Sequence, residues 1–308
     1  MAYAGFNRTG MIDTDYIDQI RDGLIPKLVT EGITTSIVDL IPGVKNSMTL
    51  NGLNNVITVQ DGGCGFNPAG DVQLIQKELK VYPKKINDAL CPDDLETTYL
   101  STYMRNNKEI PFSQIVADSY VNKANLWNEM FIWDGDGTVD GLVKEIANDA
   151  NVVDASSAVD SATGYIKKLE ALLEEAPTEV LMSNEGVVFC TFKFFMGYMN
   201  ELRAANNYML ANTEYPNGGY VATIPGTNIR LVATVGLSKL QNSTVDDGEL
   251  LIYTNAKNIA VGTDMLNDAE MFDMRYSFDT QQYKVAVTWK IGATYRYSDY
   301  IVKGYTLA

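Results

Sequence analysis

The chain has 308 residues, a mass of 34.0 kDa, 46% hydrophobic residues and a mean hydropathy of -0.10, so it can bury a substantial core but is too polar for a membrane protein. It carries 24 Lys and Arg against 39 Asp and Glu, and this net charge of -15 argues against sequence-specific nucleic-acid binding because phosphate groups would be repelled. The absence of histidine removes the commonest general base and zinc ligand, and three widely spaced cysteines fit neither a disulfide framework nor a zinc site.

The N-terminal region predicts one helix and no secretory signal. Residues 1–8 lack the basic start and apolar stretch of a signal peptide, so we expect the protein to begin in a cytoplasm. Residues 14–30 place Ile17, Ile20, Leu24 and Leu28 at helical spacing. This isolated amphipathic helix is predicted to lie against another surface, including that of a second copy.

The next fifty residues predict a polar β-ribbon. Its strands are predicted at 34–41, 55–59 and 72–82. The turn signals between them are Pro42-Gly43, Asn51-Gly52 and the glycine-rich residues 61–65. Such a ribbon is marginal by itself and needs a surface to lie on.

The middle of the chain predicts several helices. A short one is expected at 93–104, and a long amphipathic one opens at Pro111 and runs to Phe131 with an apolar stripe. A third helix is predicted at 161–175. A strand at 179–182 and a fourth helix, capped by Ser183 and passing through Phe189 to Leu202, follow it.

The C-terminal third predicts strands again. Apolar β-rich segments occur at 228–235 and 249–254, and residues 283–291 alternate apolar and polar side chains as in a half-buried antiparallel strand. Because helices and strands do not alternate regularly, the predicted class is α+β rather than a barrel or doubly wound sheet.

The segment that follows the long helix, from Ile132 to Leu142, allows two interpretations. As a calcium loop starting at Asp134 it offers Asp136, Thr138 and Asp140 at positions 3, 5 and 7, and Glu145 at position 12. However, Val139 stands at position 6, where the sharp turn requires glycine.

The second interpretation needs only backbone conformation. Gly135 would end the long helix in a left-handed cap, and Asp136-Gly137 would turn the chain. Gly141 would then permit a second close turn before Leu142 returns to the core. This interpretation explains the glycines as well as the aspartates, so no metal ligand, cofactor site or catalytic residue is predicted, and Asp134, Asp136 and Asp140 stay only conceivable ion ligands.

A long helix followed by Gly135-Asp136-Gly137-Thr138 and then Gly141-Leu142 resembles the pattern after the spine helix of tailed-bacteriophage major capsid proteins of the Hong Kong 97-like fold family. The resemblance implies five regions along the chain. They are an N-terminal arm at 1–33, an extended hairpin loop at 34–84, a peripheral domain at 85–145 with its spine helix at 111–133, an axial domain at 146–245, and C-terminal strands at 246–308 that return to the peripheral domain.

The resemblance also implies a function. The chain would be a self-assembling shell subunit, without enzymatic activity, that forms hexamers and pentamers and encloses packaged double-stranded DNA in a virion. Its partners would be copies of itself and the portal, scaffold and decoration proteins, with assembly in the host cytoplasm.

One feature and three alternatives stay open at this point. Lys45, Lys77 and Lys80 lie in or near the hairpin, but no motif assigns them the covalent cross-linking of some family members. The alternatives are an encapsulin-like bacterial compartment with an enzyme cargo and a calcium-binding adhesion module. A histidine-free hydrolase with a carboxylate pair is a further alternative, although no pair of acids stands out.

Overall fold

The computed structural model describes residues 32–56, 58–62, 64, 71–91, 112–205, 213–214, 220–243, 245, 250–264 and 272–307. The helices predicted at 14–30 and 93–104 lie outside these residues. The described helices are α1 (Ile33–Ile37), α2 (Phe112–Asp134), α3 (Leu142–Asn148), α4 (Ser156–Ser161), α5 (Tyr165–Glu174), α6 (Thr178–Leu181), α7 (Phe192–Ala204) and α8 (Val235–Ser238). The described strands are β1 (Asp39–Ile41), β2 (Ser47–Val56), β3 (Asp71–Lys80), β4 (Tyr82–Leu90), β5 (Val153–Asp154), β6 (Gly186–Cys190), β7 (Thr213–Glu214), β8 (Tyr220–Thr223), β9 (Arg230–Ala233), β10 (Leu251–Asn255), β11 (Ile259–Thr263), β12 (Phe272–Ser277), β13 (Gln282–Tyr295) and β14 (Val302–Lys303).

The long helix α2 packs on one face of a five-stranded sheet. Strand β13 is the centre of this sheet: β11 and β12 pair with successive parts of one edge, and β4 pairs with the other. Its buried side chains alternate with exposed ones from Tyr283 to Ile291, which confirms the predicted strand. Trp289 contacts the helix: its ring lies 6.0 Å from that of Trp127, and its indole N–H donates to Asn128 Oδ1 at 2.8 Å.

A seven-stranded sheet in the order β5-β14-β10-β6-β9-β8-β7 forms a second core with α5 and α7. All five residues of its central strand β6 are buried, and this strand pairs parallel to β9 and antiparallel to β10. Strands β10 and β14 come from the C-terminal region at 246–308, whereas β11, β12 and β13 join the five-stranded sheet. The C-terminal region therefore contributes strands to both sheets rather than to one.

The strand predicted at 34–41 is wrong in its first half, where α1 forms instead. The Glu129 carboxylate accepts the backbone N–H of Thr34 at 2.7 Å and the Thr34 hydroxyl at 2.5 Å, and the Ser36 hydroxyl donates to the carbonyl of Ile33 at 2.7 Å. The Ser36 bond is local and favours a turn of helix over a strand ladder, whereas the two bonds to Glu129 tie this turn to α2. The strand is limited to Asp39–Ile41, which pairs parallel to β11.

The predicted elements between 161 and 202 need three corrections. The third helix begins at Tyr165 rather than 161, because Gly164 has a φ of +100° that separates α4 from α5. The strand predicted at 179–182 is instead the short helix α6, whose N–H groups at Val180 and Leu181 donate to the carbonyl of Pro177. The strand lies later, at β6, where complete burial removes the alternation that would have identified it.

The predicted fourth helix begins too early, because Phe189 lies in β6 and the Ser183 cap is therefore wrong. Helix α7 starts at Phe192, after Thr191 accepts the N–H of Phe194 with its side chain at 3.3 Å. The long helix predicted at 111–133 is confirmed and is observed at Phe112–Asp134. The strands predicted at 228–235 and 249–254 are confirmed in part as β9 and β10.

Strands β2 and β3 form a two-stranded antiparallel hairpin whose register runs from Ser47 opposite Lys80 to Val56 opposite Asp71. The strand predicted at 55–59 therefore starts earlier and ends at Val56. Asn51-Gly52, predicted as a turn, lies inside β2, where Gly52 lets the Tyr297 ring approach: a Cβ there would be 2.8 Å from Tyr297 Cε1. The strand predicted at 72–82 is confirmed as β3, but a separate strand, β4, follows it.

No helix within the described residues is both long enough and apolar enough to cross a membrane.

Candidate functional site

The segment after the long helix is a tight double turn, as its glycines predicted. Gly135 has a φ of +79° and its N–H donates to the carbonyl of Phe131 at 3.0 Å, which closes the last helical turn. A Cβ on Gly135 would overlap the carbonyl oxygen of Val139, and one on Gly141 would overlap the backbone of Asp134. Leu142 is buried directly after the turn, so the chain re-enters the core at once.

The carboxylates of this segment point to different partners. Asp134 is buried, and its Oδ2 accepts the backbone N–H groups of Gln241 at 2.5 Å and Asn242 at 2.8 Å. Asp140 pairs with Lys144 at 2.7 Å. The described residues include no group of three or more Cys, Asp or Glu side chains that could hold a metal ion.

Asp136 stabilises the turn from within. Its Oδ1 accepts the backbone N–H groups of Thr138 at 3.1 Å and Val139 at 2.9 Å, while its Oδ2 pairs with Lys84 of β4. Burial opposes ionisation of this carboxyl, but the hydrogen bonds from Lys84, Thr138 and Val139 outweigh it and hold its pKa well below the usual range. The aspartate therefore ties the end of the long helix to the edge of the sheet.

Lys84 was missed by sequence reasoning, and its position explains why. Its ammonium group lies over the rings of Phe131, at 4.7 Å, and Trp127, at 5.6 Å, as well as beside Asp136. These contacts depend on β4 pairing with β13, which brings together residues far apart in the chain. No local spacing signals such a contact.

A polar cleft of about 630 Å³ lies between the base of the hairpin, the turn at 138–140, α3 and the end of β13. Lys77 of the hairpin and Glu145 and Asp149 of the body line it, together with Tyr295. Lys77 and Lys80, considered for cross-linking, differ in setting. Lys77 contacts the body of the protein, whereas the exposed Lys80 pairs with Glu78 of its own strand at 3.2 Å.

The two faces of the hairpin differ in exposure. On the face that meets the body of the protein, Leu79 and Leu50 are buried near the base. On the opposite face Leu74 is 69% exposed, and Val59, beyond the strands, is 91% exposed. The base of the ribbon therefore packs on the body of the chain, which supplies there the surface that a two-stranded ribbon needs.

All three cysteines are free thiols: Cys190 is buried, Cys91 is half-buried and Cys64 is exposed.

The sequence matches no protein-family model and no curated protein. Solved structures nevertheless resemble the chain over most of its length. The capsid of a native GTA particle aligns with a TM-score of 0.57 at 9% identity, covering 92% of this chain and 91% of that chain. The procapsid of satellite phage P4 gives a TM-score of 0.55 at 8% identity, covering 95% and 99%. A structure from Mycobacterium phage Cain gives 0.54 at 7% identity, covering 86% and 84%.

The chain therefore has the fold of capsid-shell proteins. More specifically, it has the α+β Hong Kong 97-like fold that the long helix and the glycines after it predicted.

Proposed function

We propose that this chain is the major capsid protein of a tailed bacteriophage, a self-assembling subunit of the icosahedral shell that encloses double-stranded DNA. The observation that carries the proposal is fold agreement with capsid subunits over nearly the whole length of both chains. The encapsulin-like alternative is not favoured, because these neighbours are particle and phage capsids. A structural rather than enzymatic role is part of the proposal.

In this proposal the two sheets correspond to the two domains of the fold. The five-stranded sheet with α2 is the peripheral domain, and the seven-stranded sheet with α5 and α7 is the axial domain. Residues 1–33 act as the N-terminal arm and the β2–β3 hairpin as the extended loop. Subunits would assemble as hexamers and pentamers in the host cytoplasm, with portal, scaffold and decoration proteins as further partners of the virion.

The exposed end of the hairpin supports an assembly role. Leu74 presents a large apolar side chain to solvent on a two-stranded ribbon, an arrangement that is marginal without a covering surface. A neighbouring copy supplies that surface in a shell, since every subunit repeats the same contact by symmetry. The net charge of -15 suits a container whose wall should not adhere to packed DNA.

A shortened hairpin tests the proposal. Leu53 lies opposite Leu74 in the register, so residues 54–73 can be replaced by Asn-Gly, which closes a two-residue hairpin turn there. We expect this variant to fold, because Leu50 and Leu79 still pack on the body, but to form no closed shells in electron micrographs. Closed shells of normal appearance from the shortened protein would contradict the assigned role of the hairpin.

A matched pair of substitutions refines the test. Leu74→Ser and Gln76→Ser both change exposed positions on the same face of β3. Leu74→Ser should lower the yield of shells at a given protein concentration, whereas Gln76→Ser should leave it unchanged. Equal yields would show that the apolar contact does not drive assembly.

A further inference from the structure

The hairpin joins the body of the protein at residues 79–81, the junction of β3 and β4, which is called its root here. Leu79 and Val81 are buried against β11 and β13, where Gly262 and Gly292 stand directly opposite each other. A Cβ on Gly262 would lie 2.9 Å from Leu79 Cδ2, and one on Gly292 would overlap the carbonyl of Lys80. The two paired glycines therefore let the root of the hairpin lie close to the sheet, and a side chain at either position would prevent this contact.

Two residues from Leu79, on the same face of β3, the hairpin is held by the charge of Lys77. The Lys77 ammonium lies 3.0 Å from the centre of the Tyr295 ring, 3.4 Å from Glu145 Oε1 and 3.8 Å from Asp149 Oδ2. Asp149 is fixed in turn, since the Tyr295 hydroxyl donates to it at 2.7 Å. The Lys77 ammonium is therefore surrounded by one aromatic ring and two carboxylates.

The ion pairs of Lys77 cross the polar cleft beside the hairpin and do not lie within a packed interface. The cleft of about 630 Å³ separates the hairpin from α3, and Lys77 reaches across it to side chains of α3 and β13. Burial lowers the pKa of Lys77 from its usual value of 10.5, while Glu145 and Asp149 act against this shift. The two carboxylates thus offset part of the cost of placing the charge there.

We propose that Lys77 is an ionic clasp that fixes the angle at which the hairpin leaves the subunit, and that its release lets the hairpin pivot about the root at 79–81. The proposal rests on the proposed shell function, because the angle matters only if the hairpin meets a neighbouring copy. Copies in a shell of hexamers and pentamers must reach neighbours at different angles. A charge across a cleft can be released at lower cost than a packed apolar contact of the same extent.

Hydrogen exchange on the full-length, unassembled protein tests the clasp directly. Because a two-stranded ribbon is marginal without the surface on which it lies, the released hairpin should open more often, so in Lys77→Gln the amides of β2 and β3 should exchange about tenfold faster than in the wild type, a change equivalent to about 1.4 kcal/mol. The matched control is Lys80→Gln, an exposed lysine of the same strand whose ion-pair partner Glu78 belongs to the hairpin itself. It should leave the exchange rates unchanged, and in both variants β6 and α2 should keep wild-type protection.

Three results would overturn the clasp: equal exchange in both variants, faster exchange throughout the body of Lys77→Gln, or no protection of the hairpin in the wild type. Cryo-electron microscopy of assembled particles then reads the consequence. Lys77→Gln should give shells of more varied diameter than Lys80→Gln, and equal size distributions would contradict the link to assembly. Since the exchange measurement needs no shells, failure of the wild type to assemble would reject the proposed function without deciding the clasp.

Discussion

Glu129 is a buried carboxylate of α2 that joins the long helix to the start of the described chain. Its two oxygens accept the backbone N–H and the hydroxyl of Thr34, and the Trp133 indole N–H donates to the same hydroxyl at 2.9 Å. A buried carboxylate requires such donors, because burying an unpaired charge costs on the order of several kcal/mol of free energy. The cluster therefore fixes where α1 docks on α2.

Removing this carboxylate should destabilise the fold. We expect Glu129→Ala to lower the free energy of unfolding by about 1–3 kcal/mol, because the two Thr34 donors lose their acceptor. Glu129→Gln keeps the shape and one carbonyl acceptor, so its loss should be smaller. Urea unfolding of the two variants measures the difference, and equal losses would mean that the hydrogen bonds contribute little.

The same carboxyl should make stability depend on pH. Burial raises the pKa of Glu129 above its usual value of 4.5, although the bonds from Thr34 act against this. A raised pKa in the folded state gives stability that is fully present below the unfolded pKa and is lost as pH rises through the folded pKa. The wild type should therefore be most stable relative to Glu129→Gln in acid, and a difference that does not vary with pH would contradict this.

At the scale of elements, a strand could be predicted from the sequence where its two faces have different surroundings. Strand β13 was predicted well because one face meets α2 and the other meets solvent, which imposes alternation on residues 283–291. Strand β6 is buried on both faces, so Phe189 was assigned to a helix. The contacts of Lys77 and Lys84 depend on strand pairing between distant segments, which no local pattern encodes.

The turn after α2 was predicted because glycine positions report backbone conformation directly. Gly135 and Gly137 both have positive φ, but only Gly135 faces the carbonyl of Val139, whereas the nearest atom to a Cβ on Gly137 is Asn242 Oδ1 at 3.5 Å. A substitution at Gly137 therefore introduces backbone strain alone, whereas one at Gly135 introduces strain and a steric overlap.

Alanine at these two positions should have unequal effects. Gly137→Ala should lower the free energy of unfolding by about 1 kcal/mol, the strain of a left-handed residue. Gly135→Ala adds a clash within the turn and should cost about 3 kcal/mol or more. Thermal or urea unfolding gives both values; if the two losses were the same, the close approach at Gly135 would not be what defines the turn.

At the scale of the whole molecule, the order of the elements carried most of the information. A long helix, a glycine turn and strands on either side indicated the capsid fold, and structures of such shells agree with it at 7–9% identity. At this identity little of the sequence is shared, so the common feature is the backbone fold.

The net charge of -15 sets a condition for assembly. Copies repel one another at low ionic strength, and salt at about 0.15 M screens this repulsion beyond about 8 Å. Apolar contacts such as the one proposed for Leu74 are not weakened by such screening. Assembly should therefore be easier at moderate than at very low ionic strength.

Electron microscopy of the full-length protein, expressed alone and concentrated at moderate ionic strength, tests the central claim most directly. The account predicts closed shells of regular curvature, built from hexamers and pentamers. A population that stays monomeric at high concentration, by sedimentation and in micrographs, would contradict it.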